Sequence, residues 1–336
     1  MDDYLEALDR ELREILVSPG PVYDPYYGMF RYHLGWTDAE FNDINSDTGK
    51  RLRALLCLLC CDAVSGDWRS ALPIAAAVEL AHNFSLIHDD IEDESDSRRG
   101  RPAVWKVWGL AQGLNAGDGM FVLAHLAVDR LCDRGFSPEK CAVVSRVFDQ
   151  AMLALCRGQF LDLEFESRLD VTVVEYLEMI RGKTAALMSA ATRLGAMLKS
   201  DDEHVVDALA RFGENIGLSF QIADDILGIW GDPSVTGKSA ATDILSRKKS
   251  LPAIFGLTHP KHGRALRDLY GKDRLTADDV RTVLTLLEAS GARAYAQSQA
   301  DAFRAAAHAA LEETGITNRA MAGLSQIADL MSNRVR

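Results

Sequence analysis

Apolar residues recur along this chain at intervals of three and four, the spacing that keeps side chains on one face of an α-helix. In the opening stretch "YLEALDRELREIL", Leu5, Leu8, Leu12 and the pair Ile15–Leu16 form one stripe. "AVVSRVFDQAMLALCRGQFLDLEF" and "RAYAQSQADAFRAAAHAALEE" carry the same period, with alanine abundant. No segment alternates apolar and polar residues as a half-buried strand does. The pattern breaks at "SPGPVYDP", "SGDWRSALP", "RGRP", "RGFSPE", "SRLDVT", "GDPSVTGK", "THPKHG" and "GKDRLT". These are short, and most hold a proline or glycine where a helix must stop. None is long enough to link two domains, and no repeat of fixed period is present. The pattern predicts one all-α domain over residues 1–336, a bundle of about ten or more helices.

Composition narrows the function classes. The chain has 336 residues, 48% of them hydrophobic, enough for a large core. A formal net charge of −12 leaves no basic face for nucleic acid. It also means that an anionic substrate must be held by local cations or by metal. "MDDYLEALDRELREIL" is acidic and amphipathic, without the basic flank and apolar core of a signal peptide. No apolar run approaches the roughly 18–20 residues that span a bilayer, and "ALLCLLCCDAV" is too short. Of the six cysteines, Cys57, Cys60 and Cys61 contain a Cys-x-x-Cys pair, but no second pair or histidine stands at zinc-ligand spacing. They are expected to be buried thiols, and the chain to be cytoplasmic.

The candidate chemistry lies in two acidic segments. In "LPIAAAVELAHNFSLIHDDIED", Asp89 and Asp93 are four apart and share a helical face, with Asp90 beside them. Like charges at that spacing need neutralising, which a solvated helix end or a divalent cation can do. Mg²⁺ takes oxygen ligands and is commonly held by one or two carboxylates plus phosphates. "FQIADDILGIWGD" places Asp224 and Asp225 among apolar residues, where adjacent carboxylates are costly unless paired or coordinated. Gln221 lies one turn before Asp225. Cations surround these segments in sequence: Lys50 and Arg53 in "TGKRLRALL", expected on one helical face; Arg98 and Arg99 in "RRGRP"; Lys183, followed by the hydroxyl of Thr184, in "RGKTAALM"; Lys238, Lys248 and Lys249, with Asp243 among them, in "TGKSAATDILSRKKSLP". His82 precedes Asp89 by two turns. Each cluster alone reads as surface charge; together they provide two acidic sites and cations for two separate anions.

This constellation resembles the trans-isoprenyl diphosphate synthase (polyprenyl synthetase) family, carried by "GKRLR", "HNFSLIHDDIED" with "RRGRP", "NAGDGMF", "GQFLDLEF", "GKTAAL" and "FQIADDILGIWGDPSVTGK". The resemblance implies an all-α bundle around a central apolar cavity, and a homodimer. It implies condensation of isopentenyl diphosphate with an allylic diphosphate. It further implies about three Mg²⁺ ions, two at Asp89 and Asp93 and one at Asp224, with Asp90 and Asp225 supporting. Arg98, Lys183, Lys238 and Lys248, with Thr184 and Gln221 nearby, match the allylic diphosphate site. Lys50, Arg53, His82 and Arg99 match the metal-free isopentenyl diphosphate site. A terpene cyclase would not need that second site, and a non-catalytic regulatory subunit would have lost acidic ligands. Proton removal is ascribed to the leaving diphosphate.

One departure is Gly228, where the usual second motif ends in Asp; restoring Asp there is expected to be harmless. Chain length is read from Phe84, five residues before Asp89 and so about 7–8 Å down the helix axis, with small Ser85 beside it and Ala81 and Val78 deeper. An aromatic at this point, a small neighbour and an uninterrupted motif resemble the archaeal type of geranylgeranyl diphosphate synthase. The expected product is therefore C20, with C15 as the alternative.

Overall fold

The computed structural model describes residues 1–336 apart from 45, 47, 232–240, 273 and 333–336, and the side chains of 242 and 332. Lys238, expected at the diphosphate site, lies outside the described residues. Every long element is a helix. The strands among the described residues are two residues each, Ser97–Arg98 paired antiparallel with Arg101–Pro102. This small hairpin, which the sequence reading took for a plain turn, forms because Arg99 and Gly100 both adopt positive φ and reverse the chain in two residues.

The chain forms two compact units, Met1–Asp149 with Ala191–Asp201, and Gln150–Ala190 with Asp202–Arg336. In the first, α1 (Asp2–Ile15) buries the expected Leu8 and Leu12, with Leu16 just beyond. It is followed by α2 (Asp24–His33), α3 (Leu52–Ser65), α4 (Leu72–Glu92), α5 (Val104–Trp108) and α6 (Leu110–Asp133). Helix α4 packs against α6, α3 and α1. With neighbours on several sides it is apolar nearly all round. The segment Trp68–Glu92 is therefore long and apolar enough to cross a membrane, contrary to the sequence reading, yet 78% of its apolar window is buried inside the protein.

Helix α3 starts at Leu52, later than expected. Gly49 and Arg51 hold left-handed backbone, at φ 76° and 47°, and the buried Arg51 donates to Asp9 Oδ1 of α1 at 2.9 Å. That pair fixes the helix entrance. Lys50 is exposed ahead of it, so Lys50 and Arg53 do not share a helical face.

Helices α7 (Pro138–Glu166) and α9 (Ala186–Met197) have residues in both units. The second unit holds α8 (Val173–Ile180), α10 (Glu203–Trp230), α11 (Thr242–Leu245), α12 (Leu251–Thr258), α13 (Gly263–Tyr270), α14 (Ala277–Ser290), α15 (Ala292–Glu313) and α16 (Arg319–Ser332). A reciprocal Thr172–Glu175 capping box starts α8 at the predicted "SRLDVT" break. Helix α10 packs along α15. Its Leu218, Ile222 and Ile226 form a core with Tyr176, Met179, Leu251 and Ile254.

Candidate active site

In the first unit the site is built on the last three turns of α4. Asp89 and Asp90 sit in its final turn, and the Asp93 N–H caps it by donating to the Asp89 carbonyl at 2.9 Å. The two adjacent aspartates divide. Asp90 is 1% exposed, and its Oδ1 accepts from Arg98 Nε at 2.9 Å and Nη2 at 2.5 Å. Burial pushes its carboxyl up, against the pull of Arg98. Asp89 keeps 20% of its side chain exposed, with its Oδ2 3.6 Å from Arg98 Nη2. Asp90 thus anchors Arg98, and Asp89 is the more solvent-exposed of the pair.

Two turns back, Arg53 Nη1 donates to His82 Nε2 at 3.3 Å. A guanidinium can only donate, so His82 accepts on Nε2 and is neutral. Its surroundings agree: burial first, then Arg53 and Arg99, hold the imidazole well below its usual value. Burial also draws Arg53 down to about 10, with Glu79 opposing. The Arg99 guanidinium lies on the Gly49 backbone, its Nη2 2.9 Å from where a Cβ would stand. The structure thus gathers Arg53, His82 and Arg99 with the Gly49 turn. Lys50 is adjacent in the chain and exposed.

The second unit holds the other group. Gly158 of α7 and Gly182 cross backbone to backbone: a Cβ on Gly158 would stand 2.0 Å from Lys183 N, and one on Gly182 2.7 Å from the Ala154 carbonyl. Residues Arg181–Ala185 form a π-turn at this crossing. It aims Lys183 Nζ at Asp162 Oδ2, 2.5 Å away, while Thr184 Oγ1 donates to Gln221 Oε1 at 2.8 Å. Gln221 Nε2 in turn donates to Asp225 Oδ1 at 3.1 Å.

Asp225, 1% exposed, also accepts from Tyr176 Oη at 2.6 Å and Leu251 N at 3.0 Å. Lys248 Nζ stands 4.0 Å away. Burial works against the Lys248 charge, but Asp225, then Asp243, Asp162 and Asp224, hold its ammonium well above the usual value. Asp224 is half-buried, and among the described residues it accepts no hydrogen bond. As in the first motif, one aspartate is buried and bonded within the protein and its neighbour is more exposed.

Asp162 and Tyr176 escaped the sequence reading, whereas Asp243 was noted beside Lys248 without a role. Asp162 sits inside the quoted "GQFLDLEF", which signalled it; a lone tyrosine carries no such signal. At Gly228 a Cβ would fall 2.2 Å from Asp243 Oδ2, so an Asp placed there would have to displace that carboxylate. Phe84 is packed edge-on against Phe121 of α6, ring centroids 4.9 Å apart. Ser85 Oγ donates to the His82 carbonyl at 2.8 Å, and Ala81 and Val78 are fully buried.

The donor set suits a hard divalent cation. Among the described residues, no three His, Cys, Asp or Glu side chains assemble into a closed metal cage. Carboxylate oxygens, as on Asp89 and Asp93 in the first unit and Asp224 in the second, are the donors Mg²⁺ uses when phosphate completes its shell.

Comparison with known proteins agrees with this chemistry. The sequence profile of the polyprenyl synthetase family matches residues 35–287. A (2E,6E)-farnesyl diphosphate synthase of Mycobacterium tuberculosis is 41% identical over 335 residues, covering 98% of this chain and 91% of that protein. A geranylgeranyl diphosphate synthase of the same organism is 39% identical over 308 residues, 90% of this chain and 86% of that one. The crystal structure of geranylgeranyl pyrophosphate synthase from Corynebacterium glutamicum, complexed with isoprenyl diphosphate and magnesium, superposes with a TM-score of 0.84 at 27% identity, covering 99% of each chain. The chain belongs to the polyprenyl synthetase family, and is a trans-prenyltransferase with the all-α isoprenoid synthase fold.

Proposed function

We propose that this chain condenses isopentenyl diphosphate with an allylic diphosphate, in a Mg²⁺-dependent reaction, to a short all-trans prenyl diphosphate. The observation that supports this reading is that side chains on α4 and its neighbours form two polar groups of different kind, which we read as two anion stations. Asp89 and Asp93, with Arg98, suit a diphosphate met through metal. Arg53, neutral His82 and Arg99, with Lys50, suit one met directly. Seven residues separate His82 from Asp89, about 10 Å along the helix, so the stations are distinct. A cyclase of a single allylic diphosphate has no use for the second.

Each part has a physical task. Carboxylates aimed directly at a diphosphate repel it by about 4 kcal/mol per close charge pair at an effective dielectric near 20. Bound Mg²⁺ converts that repulsion into attraction and stabilises the charge that develops on the leaving group. Asp89 and Asp93 would hold two ions and Asp224 a third. Lys183, Lys248, Lys238 and Arg98 take the remaining phosphoryl oxygens, with Asp90, Asp225, Gln221 and Thr184 holding these groups in place. The allylic carbon–oxygen bond breaks and diphosphate leaves. The isopentenyl double bond attacks the allylic carbon, and a proton is lost to the departing diphosphate. Arginine at the second station grips phosphate in a fork that lysine cannot reproduce.

The product assigned is C20. Phe84 stands as the aromatic stop, with Ser85 beside it and Ala81 one turn deeper. The C15 reading is favoured by the 41% identity to a farnesyl diphosphate synthase. A homodimer is supported by an exposed apolar stripe on α6, comprising Leu110, Leu114, Val122 and Leu126. The test is incubation with isopentenyl diphosphate, each allylic starter and Mg²⁺, then product sizing. Consumption of both substrates to C20, abolished by EDTA, is expected. Full activity in EDTA removes the metal assignment, and no consumption of isopentenyl diphosphate removes the synthase.

A further inference from the structure

Lys249 is a buried cation with no part in the proposed chemistry. It is 5% exposed. An ammonium taken out of water is costly unless its donors find acceptors. Among the described residues it is met by carbonyls rather than by a carboxylate. Its Nζ donates to the Glu166 carbonyl at 2.9 Å and to the Arg247 carbonyl at 3.1 Å. The first of these is the last carbonyl of α7, which ends at Glu166. The final carbonyls of a helix have no partner inside it and carry the negative end of its dipole. Helix α7 has no basic residue in its own last turn. Lys249 supplies the missing cation from 83 positions along the chain.

The second carbonyl lies two residues back, on the other side of Lys248. Arg247 holds left-handed backbone at φ 56°, and its Nη1 donates to the Lys272 carbonyl at 2.6 Å. The Lys248 N–H donates to the Asp243 carbonyl at 2.9 Å. Beyond Lys249, Ser250 is extended, and the Leu251 N–H donates to Asp225 Oδ2 at 3.0 Å. The stretch from Arg247 to Leu251 is thus fastened on both sides of Lys248. Lys248 itself keeps 34% of its side chain exposed, with Nζ 4.0 Å from Asp225 Oδ1. Lysine is a point charge on a flexible stem, so its ammonium is only as well placed as the backbone beneath it.

We infer that Lys249 is a positioning residue for Lys248: by tying the segment between α11 and α12 to the end of α7, it sets where the Lys248 ammonium stands to receive a diphosphate. This inference rests on the proposed synthase reading, in which Lys248 meets the allylic diphosphate. The two adjacent lysines then have different tasks. One turns inward and spends its charge on backbone carbonyls; the other is held in place by it, half in solvent.

The experiment is a double-variant cycle of Lys249→Met and Lys248→Met. Three readouts are taken: calorimetric titration of inorganic diphosphate with Mg²⁺, urea unfolding, and steady-state kinetics. Methionine keeps an apolar stem and removes the ammonium. Lys249→Met should weaken Mg²⁺-dependent diphosphate binding about tenfold when Lys248 is present and less than about twofold when Lys248 is already methionine, the coupling of a residue that acts through its neighbour. The KM for the allylic substrate should rise, while that for isopentenyl diphosphate should stay within about twofold of wild type. A residue that only stabilises the fold would lower the unfolding midpoint and weaken binding alike in both backgrounds. The inference is overturned if Lys249→Met binds diphosphate like wild type, or if its loss is the same with and without Lys248. Should Lys249→Met unfold, Lys249→Gln, which keeps a neutral donor for one carbonyl, enters the same cycle with a loss of about threefold expected, and the same two results overturn the inference. Binding is read without turnover, so a wild-type chain inert toward isopentenyl diphosphate defeats the synthase reading, whereas equal losses in the two backgrounds with wild-type turnover intact defeat this inference alone.

Discussion

Asp224 and Asp225 are neighbours in sequence, and replacing each by alanine should produce opposite damage. Asp225→Ala removes the acceptor for Tyr176 Oη and for the Leu251 N–H, at 2.6 and 3.0 Å. Tyr176 is 1% exposed and Leu251 wholly buried, so neither donor can turn to water. A buried donor left without a partner costs about 1–3 kcal/mol. Two of them give about 2–6 kcal/mol, and a loss of about 4 kcal/mol is expected. Nothing is added for Lys248, whose side chain is 34% exposed and can be resolvated. Asp224→Ala strands no donor and should change stability by less than about 0.5 kcal/mol, while cutting turnover by orders of magnitude through loss of a metal ligand. Equilibrium urea unfolding of both ligand-free variants measures this, and Asp225→Asn, which keeps an acceptor oxygen, should fall between. If Asp225→Ala stays within about 1 kcal/mol of wild type, or Asp224→Ala loses as much, the division of labour between the two carboxylates is refuted.

Arg53→Ala and His82→Ala should raise the KM for isopentenyl diphosphate far more than that for the allylic substrate; equal effects would dissolve the second station. Because burial and the nearby arginines hold His82 well below its usual value, it stays neutral as pH rises from 6 to 8. The KM for isopentenyl diphosphate should then show no histidine titration over that range, and a sigmoidal step near 6.5 would contradict it. Phe84→Ala should lengthen the product beyond C20, at a stability cost of about 3–5 kcal/mol for the ring's lost packing. An unchanged product length would leave the residue as core alone, against Phe121.

Much of this was legible beforehand, for reasons that differ by residue. The helical stripe through Leu8 and Leu12 and the break before the Thr172 cap follow from periodicity and local chemistry. The acidic and basic residues of the site were visible as short motifs. Which aspartate of each pair is consumed by the protein was not. It depends on Arg98 returning through a two-residue hairpin, and on Tyr176 reaching Asp225 from 49 positions away. Lys50 was misplaced because helix propensity runs through "GKRLR", whereas a distant partner, Asp9, sets where the helix begins. That the Asp243 carboxylate lies against Gly228 was not legible, because it comes from another element.

The three thiols of α3 have a consequence in redox chemistry. Cys57, Cys60 and Cys61 are buried, and burial pushes Cys57 and Cys60 well above the usual thiol range and Cys61 up to about 11. Oxidants and alkylating agents attack the thiolate, a form these residues scarcely populate in the folded state. Cys132 and Cys156 are exposed, so they take the first steps to sulfenic acid and beyond. Oxidative injury is thereby diverted to sulfur at the surface, while the sulfur buried on α3 is shielded for as long as that helix stays packed.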